Sequence, residues 1–313
     1  MTTTPAFDPA AREYDAEFTD QLLGQWLREC VWKHTPFTAP MTILELGCGT
    51  GEDARHFARM GISVLATDAS GEMIAVAREK NENLIPKSLL QTGEGTFPQL
   101  ENDFLSLPNL ERGQGGEVEG TRTTRMSSLQ SRGQGHGGEV TFLQLDLNNL
   151  PDSSISNTPF DAVFSNFGVV NCVENRGELA KFVHQHIKTG GMAVIVTMTR
   201  TCPIEIFWHL LHLRPKQAIR RFFGGRLVHV GNGGVLCVWY PSHAELRRDF
   251  ARAGLHLERM VGIGVTLPPS YLAPLVAKYP RFWGFMRRWE HRLARIFPFN
   301  RLNDHTLMIF RKD

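Results

Sequence analysis

In the first 80 residues, segments whose apolar positions are spaced as in a strand alternate with segments whose apolar positions are spaced as in a helix. Two short apolar runs, "TILEL" and "ISVLATD", have the length and the boundaries of buried strands. After each of them, "EDARHFARM" and "GEMIAVAREK" are typical of helices, the first closed by Gly61 and the second capped by Ser70. Strands that alternate with helices predict a parallel sheet with right-handed crossovers.

The same alternation returns between positions 140 and 200. Strands are predicted at "VTFLQLDL", "FDAVFSNFG" and "MAVIVTM", and a helix at "ELAKFVHQHIK". Gly190 and Gly191 are expected to turn the chain into the last of these strands. Near the N-terminus, an apolar period from Phe18 to Leu27 predicts one more helix.

The last third has a different pattern. "PIEIFWHLLHL" and "PKQAIRRFF" predict two helices broken at Pro215, and "RLVHV" with "GVLCVWY" predicts a hairpin. Helix, strand, helix and strand follow at "SHAELRRDFARAG", "LHLERMVGIG", "RFWGFMRRWEHRLARIF" and "HTLMIFR". From about Asn81 to Glu139 the chain is instead rich in Gly, Ser, Gln and charge, which predicts a flexible low-complexity insertion. The expected organisation is a core at 1–85 and 140–200, the insertion at 86–139, a substrate lid at 201–240, and a segment at 241–313 that completes the sheet.

The amino-acid composition and the net charge disfavour several classes of function. The formal net charge is only +2, so no global field favours a nucleic-acid partner. The five cysteines include no C-x-x-C pair, and we therefore predict no disulfide framework, no zinc site and no other metal site. The chain also has neither a signal-peptide pattern nor an apolar run near the ~20 residues of a membrane helix, so a cytoplasmic location is expected.

Three glycines, Gly47, Gly49 and Gly51, follow the first strand in "ILELGCGTGED". Such a turn brings backbone N–H groups and a helix N-terminus together, where a polar ligand can bind. The dinucleotide pattern G-x-G-x-x-G is not met because the third glycine comes one residue early, and no lysine follows as in a P-loop. Glu45, two residues before the first glycine, favours a cationic or amino-bearing ligand over a phosphate.

Further polar residues are expected at the carboxyl ends of the neighbouring strands, the edge at which parallel sheets bind ligands. Asp68 ends the second strand and can accept from both hydroxyls of a ribose. Asp146 in "LQLDL" can accept from an exocyclic amine such as that of adenine, and "SNFG" (165–168) ends the strand beside the glycine loop. Together with the loop, these positions predict a nucleoside-binding site.

In these motifs the chain resembles the class I S-adenosylmethionine-dependent methyltransferases, most closely their small-molecule branch, which includes the quinone-biosynthesis methyltransferases. "LELGCGTG" matches the first motif of that family, "ATDASGEMIAVAREK" the ribose-binding strand and its helix, and "LQLDL" and "FDAVFSNFG" the next two motifs. The resemblance implies an enzyme with S-adenosylmethionine as cofactor and methyl transfer by in-line displacement. It also implies an α/β fold with a Rossmann-like, seven-stranded, mostly parallel sheet, helices on both faces, an antiparallel last strand ("HTLMIFR") and an inserted lid.

The resemblance further implies which residues contact the cofactor. Tyr14, in "AREYDAEF", would cover its methionine end, Glu45 would lie near its amino group or stabilise the loop, and Asn166 and Phe167 would face the sulfonium and the acceptor. The full set is Tyr14, Glu45, Gly47, Cys48, Gly49, Gly51, Asp68, Ala69, Met73, Asp146, Leu147, Asn166 and Phe167.

Fewer residues in the sequence indicate which molecule accepts the methyl group. The large apolar residues of "FWHLLHL" and "RRFF" favour a lid over a small apolar, aromatic or isoprenoid acceptor, although packing of the lid on the sheet would explain them equally well. "SNFG" lacks the prolines of the N-P-P-Y motif, which disfavours nucleic acid as the acceptor. A general base is needed only if the acceptor must lose a proton. His209 and Tyr240 are candidates beside His212, His229 and His243, so no base is assigned.

The late helix at 281–297 combines arginines with tryptophans and phenylalanines. This pattern fits a peripheral contact with an anionic membrane, or packing on the domain with a solvated basic face. Two other functions also fit the sequence as a whole: a nicotinamide-dependent oxidoreductase built on the same glycine-loop sheet, and a non-catalytic cofactor-binding protein. The sequence makes no prediction of the oligomeric state.

Overall fold

A computed structural model describes residues 5–82, 137–150, 155, 159–230 and 234–313. Apart from its last three residues, the predicted insertion at 86–139 lies outside the described residues. Nine strands are described: β1 (Thr42–Leu46), β2 (Ser63–Asp68), β3 (Val140–Gln144), β4 (Phe160–Ser165), β5 (Ile187–Met198), β6 (Arg226–Val230), β7 (Gly234–Val238), β8 (Leu255–Ile263) and β9 (His305–Lys312).

Seven of these strands form one sheet in the order β3-β2-β1-β4-β5-β9-β8. The pairs among β1 to β5 are parallel, whereas β9 runs antiparallel to both β5 and β8. The predicted fold class is therefore confirmed, including the antiparallel direction of "HTLMIFR".

Helices cover both faces of this sheet. Their bounds are α1 (Leu22–His34), α2 (Glu52–Arg59), α3 (Gly71–Glu82), α4 (Arg176–His186), α5 (Pro203–Leu211), α6 (Pro215–Ala218), α7 (His243–Arg252), α8 (Ala273–Lys278) and α9 (Pro280–Leu293). The predicted ends of α2 and α3 are found: Gly61 follows α2 with φ +83°, and Ser70 Oγ accepts from the Met73 N–H at 3.0 Å. None of the helices in the described ranges is long and apolar enough to cross a membrane.

The sheet separates two apolar cores because alternate residues of a strand point to opposite faces. In β1, Ile43 belongs to the core shared with α1 and α2, whereas Leu44 and Leu46 belong to the core shared with α4 and α7. Glu45 follows the same alternation and shares the face of Ile43, where it is 1% exposed. The strand thus places a carboxylate in an apolar layer directly before the glycine loop.

Several predicted boundaries are wrong, three of them in the part of the chain after position 186. The helix predicted over 215–223 stops at Ala218, because Arg220 and Arg221 turn in a 3₁₀ segment towards ion pairs with Glu205. The strand predicted from Met192 begins at Ile187, with an irregularity in its pairing with β4 in place of a turn at the glycine pair. The helix predicted through 297 ends at Leu293.

The segment predicted as a lid contains α5, α6 and the antiparallel hairpin β6–β7, none of which belongs to the seven-stranded sheet. Trp239, the residue after β7, contacts Asn171 in the 3₁₀ turn that follows β4: the Asn171 carbonyl accepts from the Trp239 N–H at 2.8 Å, and the Asn171 side-chain amide donates to the Trp239 carbonyl at 2.7 Å. The segment is thus attached beside the carboxyl end of the sheet.

Candidate functional site

The loop between β1 and α2 has a left-handed conformation at all three glycines, with φ of +71° at Gly47, +53° at Gly49 and +78° at Gly51. A Cβ at Gly47 would lie 2.3 Å from Cγ2 of Val169, so no side chain fits there. At Gly49 such a Cβ would find its nearest neighbour, Tyr14 Cε1, only at 3.9 Å. The backbone at Gly49 is therefore open to the approach of a ligand.

Asp68, at the end of β2, fixes the loop to the sheet. Its Oδ2 accepts from the Gly49 N–H at 2.9 Å, and its Oδ1 accepts from the Ser70 N–H at 2.9 Å. Burial raises the pKa of this carboxyl, and the two backbone donors offset that effect only in part. Each oxygen keeps a second acceptor position, so Asp68 can also accept from a ligand hydroxyl in the cavity that it lines.

The N-terminal segment (residues 7–18) covers the loop. Tyr14 lies over it, and burial raises the pKa of the phenol to about 12, so its hydroxyl stays protonated. Asp15 holds the segment in place, since its two carboxylate oxygens accept from Thr50 Oγ1 and from Lys80 Nζ, each at 2.6 Å. A molecule bound against the glycine loop is thereby enclosed.

A buried ion pair between two residues that were not among the predicted cofactor contacts lies beneath this segment. Arg28 of α1 donates to Asp53 Oδ2 at 2.7 Å, and Asp53 also accepts from Trp32 Nε1 at 2.7 Å and from Asn166 Nδ2 at 2.9 Å. Burial opposes the charge of Arg28, but Asp53 holds the pKa of the guanidinium above its usual value. The guanidinium carbon lies 5.0 Å from the centre of the Phe167 ring. The site therefore has a guanidinium, already paired with Asp53, next to Asn166 and Phe167.

Two buried polar atoms around this ion pair have no hydrogen-bond partner among the described residues: Arg28 Nε and Glu45 Oε2. Burial, followed by the charge of Asp53, raises the pKa of Glu45 well above its usual value. The amino-acid end of S-adenosylmethionine carries one carboxylate and one ammonium, which are the groups that a guanidinium and a glutamate bind. The residues present thus fit the cofactor that the motifs imply.

A cavity of about 90 Å³ lies between the loop, the N-terminal segment and the end of β4. The predicted cofactor residues that line it are Tyr14, Gly47, Cys48, Gly49, Asp68, Met73, Asn166 and Phe167. The predicted residues that do not line it are Glu45, Gly51, Ala69, Asp146 and Leu147. Arg28 and Asp53 also line it, although a lone arginine on a helix and an acid in a first helical turn carry no signal that would have singled them out.

Asp146 lies two residues beyond the end of β3 and is exposed. Its Oδ1 accepts from the Asn148 N–H at 2.9 Å and its Oδ2 accepts from Asn149 Nδ2, so the carboxylate closes a local turn. Asn148 in turn donates to the carbonyl of Cys172 at 3.2 Å, and Cys172 lines the cavity. The predicted adenine-side loop is therefore adjacent to the cavity, while an adenine contact by Asp146 itself stays a prediction.

Neither candidate base lines this cavity. His209 faces Tyr271, whose hydroxyl oxygen lies 3.2 Å from Nε2, and burial lowers the pKa of this histidine. Tyr240 lies 5.4 Å from the guanidinium of Arg221, measured to its ring centre, and burial raises its pKa. His209 lies on the buried face of α5 and Tyr240 lies next to Arg221, and neither lines the cavity beside the glycine loop.

Two buried carboxylates, Glu205 on α5 and Asp304 before β9, are already paired with an arginine. Arg221 donates to Glu205 Oε2 at 2.5 Å and to Asp304 Oδ1 at 2.6 Å. Cys202, Glu205 and Asp304 offer ligand atoms within 4.8 Å of one another, a grouping that could hold a metal ion. Because one guanidinium bridges both carboxylates, we interpret the group as a link between α5 and the start of β9.

His305, the first residue of β9, connects that group to the cavity. Its Nδ1 lies 3.0 Å from Asp304 Oδ2, and its ring meets the Phe167 ring edge to face with centroids 5.6 Å apart. Burial opposes ionisation of Asp304, but His305 and Arg221 hold the pKa of this carboxyl below its usual range. His305 could not be singled out from the sequence, because it appears there only as the first residue of the predicted last strand, "HTLMIFR".

The comparison with known families decides the class of protein. A family described as a methyltransferase domain matches residues 16–259. The chain belongs to the methyltransferase domain family. Membership confirms the predicted class I S-adenosylmethionine-dependent methyltransferase and its cofactor, and it speaks against the oxidoreductase. No curated protein matches the chain in sequence.

Solved structures share the fold of this methyltransferase at low identity. The CcbJ methyltransferase from Streptomyces caelestis is 14% identical over 99% of this chain and 98% of that chain, with a TM-score of 0.54. The [4+2]-cyclase SpnF is 13% identical over 100% and 98%, with a TM-score of 0.50. Phosphoethanolamine N-methyltransferase 2 from Haemonchus contortus, solved with S-adenosyl-L-methionine, is 14% identical over 97% and 57%, with a TM-score of 0.50. A cyclase among them illustrates that this fold alone does not decide the reaction.

Proposed function

We propose that the enzyme methylates a small organic acceptor with an apolar or aromatic body. The proposal rests on a row of rings beside the glycine loop, which we call the aromatic row: Phe7, Tyr14, Phe18 and Phe167. Consecutive ring centroids lie 6.4, 5.7 and 5.2 Å apart, and the last pair meets edge to face. Such a row offers favourable ring contacts to an apolar or aromatic molecule.

The cofactor supplies a methyl group already activated on a sulfonium, so the chain mainly has to position the reactants. Positioning of this kind can be worth ~7–11 kcal/mol. We assign Arg28 to the amino-acid end and Asp68 to the ribose, and we propose that Glu45, buried behind the wall of the cavity, meets the ammonium once the cofactor is bound. Asn166 and Phe167 would form the boundary with the acceptor.

The backbone of Phe167 is strained, which fits a residue placed between the cofactor and the acceptor. Its φ is +46°, a left-handed conformation that costs a non-glycine residue about 1–2 kcal/mol. Its own N–H donates to Asn166 Oδ1 at 2.8 Å, and Asn166 is held by Asp53. The amide and the ring are therefore fixed relative to each other, as expected where a reacting atom must be oriented.

We propose His305 as the general base for an acceptor that must lose a proton. Like His209 and Tyr240 it does not itself line the cavity, but its ring meets that of Phe167, which does, and its Nδ1 lies 3.0 Å from Asp304 Oδ2. An oriented base of this kind contributes ~10²–10⁴-fold.

The apolar residues of the lid do not support the acceptor proposal in the way that the sequence predicted. Phe207, Leu210, Leu211, Phe222 and Phe223 are exposed. They neither line the cavity nor pack the lid on the sheet, so the proposal depends on the aromatic row instead.

The remaining predicted contacts and boundaries stay proposals. They include the cofactor positions Gly47, Cys48, Gly49, Gly51, Ala69, Met73, Asp146 and Leu147, the predicted domain limits, and an acceptor that is not nucleic acid. A membrane contact through 281–297 is also still a proposal. In its support, α9 exposes Phe282, Phe285 and Trp289 while Trp283 packs on the core.

The test is methyl transfer from methyl-labelled S-adenosylmethionine by the full chain to a panel of phenols, aromatic acids and prenylated aromatics, with polyols and oligonucleotides as contrasting members. Labelling of aromatic members would support the proposal. Phe18→Leu should then raise KM for the acceptor, whereas Phe282→Leu, an exposed phenylalanine on α9, should not. Labelling confined to polyols or oligonucleotides would refute the proposal.

A further inference from the structure

The α5 helix is amphipathic with its apolar face towards solvent. Glu205 and His209, four residues apart, face the protein and are 1% and 5% exposed. Phe207 and Leu211, also four residues apart, are 68% and 65% exposed. A surface helix of a soluble domain normally has the opposite arrangement. The apolar face of α5 therefore lacks a partner among the described residues.

The turn after α5 extends this face. Leu213 is 89% exposed and has φ +56°, a conformation that a non-glycine residue seldom adopts. The large apolar side chain thus stands on a strained backbone and is hardly buried by the described residues. Backbone strain that no contact within the fold offsets is commonly found at functional positions.

The charged residues in the sequence around this turn are all positive. Residues 206–244 contain five arginines and lysines and no aspartate or glutamate. Arg220 and Arg221 pair with Glu205, whereas Arg214, Lys216 and Arg226 have no ion-pair partner within the described residues. These three cations line a groove of about 820 Å³ next to the turn.

We propose that this surface docks on an anionic lipid bilayer. We call it the lid tip and define it as Phe207, Leu210, Leu211, Leu213, Arg214 and Lys216. The apolar side chains would enter the interface between head groups and acyl chains, and the cations would contact lipid phosphates.

Charge favours a bilayer over a second copy of this chain. Two copies joined through their lid tips would bring unpaired Arg214 and Lys216 of each close to those of the other, and like charges repel. An anionic bilayer supplies the opposite charge together with an apolar phase. Phe282, Phe285 and Trp289 of α9 are exposed as well, and the substitutions in the lid tip described below leave them unchanged.

The test is cosedimentation of the full chain with vesicles of phosphatidylcholine containing 30% phosphatidylglycerol, without methyl donor or acceptor, so that its outcome is independent of the proposed acceptor. Leu213→Asn removes the apolar side chain and relieves the backbone, since asparagine tolerates a positive φ. It should keep the melting temperature and weaken vesicle binding about tenfold. Met60→Asn makes the same change outside the lid tip and should leave binding intact.

A second pair of variants tests the charge. Arg214→Glu should weaken binding at least fivefold, because each cation near an anionic surface contributes about fivefold. Lys181→Glu, an exposed lysine on α4, should have little effect. No binding to the anionic vesicles, equal loss in the variants and their controls, or a dimer in solution that Leu213→Asn dissociates would each overturn the proposal.

Discussion

Glu45→Gln should make the free enzyme more stable and at the same time weaken its hold on the cofactor. Glu45 is 1% exposed, its Oε2 has no hydrogen-bond partner among the described residues, and burial raises its pKa well above the usual value. Glutamine has nearly the same shape but never carries the charge that this position makes costly. If Glu45 served only the fold, its substitution would not stabilise the free enzyme and weaken cofactor binding at the same time.

The stability effect has a definite pH dependence. Because the pKa of Glu45 is raised in the folded state, the folded chain binds more protons than the unfolded chain above the unfolded pKa, ~4.3 for a glutamate. The contribution of Glu45 to the free energy of unfolding is therefore fully present below that pH and is lost as the pH rises through the folded pKa, by ~1.4 kcal/mol for each unit of pKa elevation. Glu45→Gln does not titrate, so its advantage in melting temperature should be small at pH 4.5 and larger at pH 8.

The affinity effect follows from the proposed contact with the cofactor ammonium. A hydrogen bond between charged groups contributes ~1.5–3 kcal/mol, and its loss should raise the Kd for S-adenosylhomocysteine about 10- to 150-fold in titration calorimetry. The product is the better ligand for this assay because it keeps the amino-acid end and transfers no methyl group.

Glu290 provides a matched control, since it is equally buried and its pKa is also raised by burial. Its carboxylate oxygens accept from the backbone N–H groups of Val265 and Thr266 at 2.9 and 2.8 Å. Glu290→Gln would turn an amide donor towards one of these donors, and it should lower the melting temperature at neutral pH without changing the Kd. An unchanged Kd in Glu45→Gln, or a stability gain that does not grow with pH, would refute the reasoning.

Three further predictions concern the same site. Asp68→Ala should weaken binding of S-adenosylhomocysteine by roughly 1–3 kcal/mol in calorimetry, because it removes the charged acceptor proposed for the ribose; an unchanged affinity would contradict that placement. Gly47→Ala should lower the free energy of unfolding in urea by at least ~1 kcal/mol, since φ is +71° and the new Cβ would lie 2.3 Å from Val169; wild-type stability would show that the loop adapts. His305→Gln should lower kcat ~10²–10⁴-fold for an acceptor that must lose a proton while KM for the cofactor stays the same, and an equal loss with an acceptor that carries no such proton would argue against a base.

The fold and the donor side could be predicted because their signals are local in sequence. The glycine loop and Asp68 each sit at the end of an apolar strand, and the alternation of strands with helices fixes the edge of the sheet at which they meet. Arg28 and Asp53 could not be predicted in this way. They pair across 25 positions, and each belongs to a helix on which a charged residue is ordinary.

The orientation of α5 could not be predicted for a different physical reason. Periodicity shows which residues of a helix share a face, but it does not show which face the protein covers. In α5 the apolar face would by default point inward, yet Glu205 pairs with Arg220 at 2.7 Å and with Arg221 at 2.5 Å, and these bonds hold the polar face against the domain. Because both arginines come from the next segment of chain, no property of α5 alone could reveal its orientation. The acceptor side therefore depends on tertiary ion pairs that a sequence pattern does not contain.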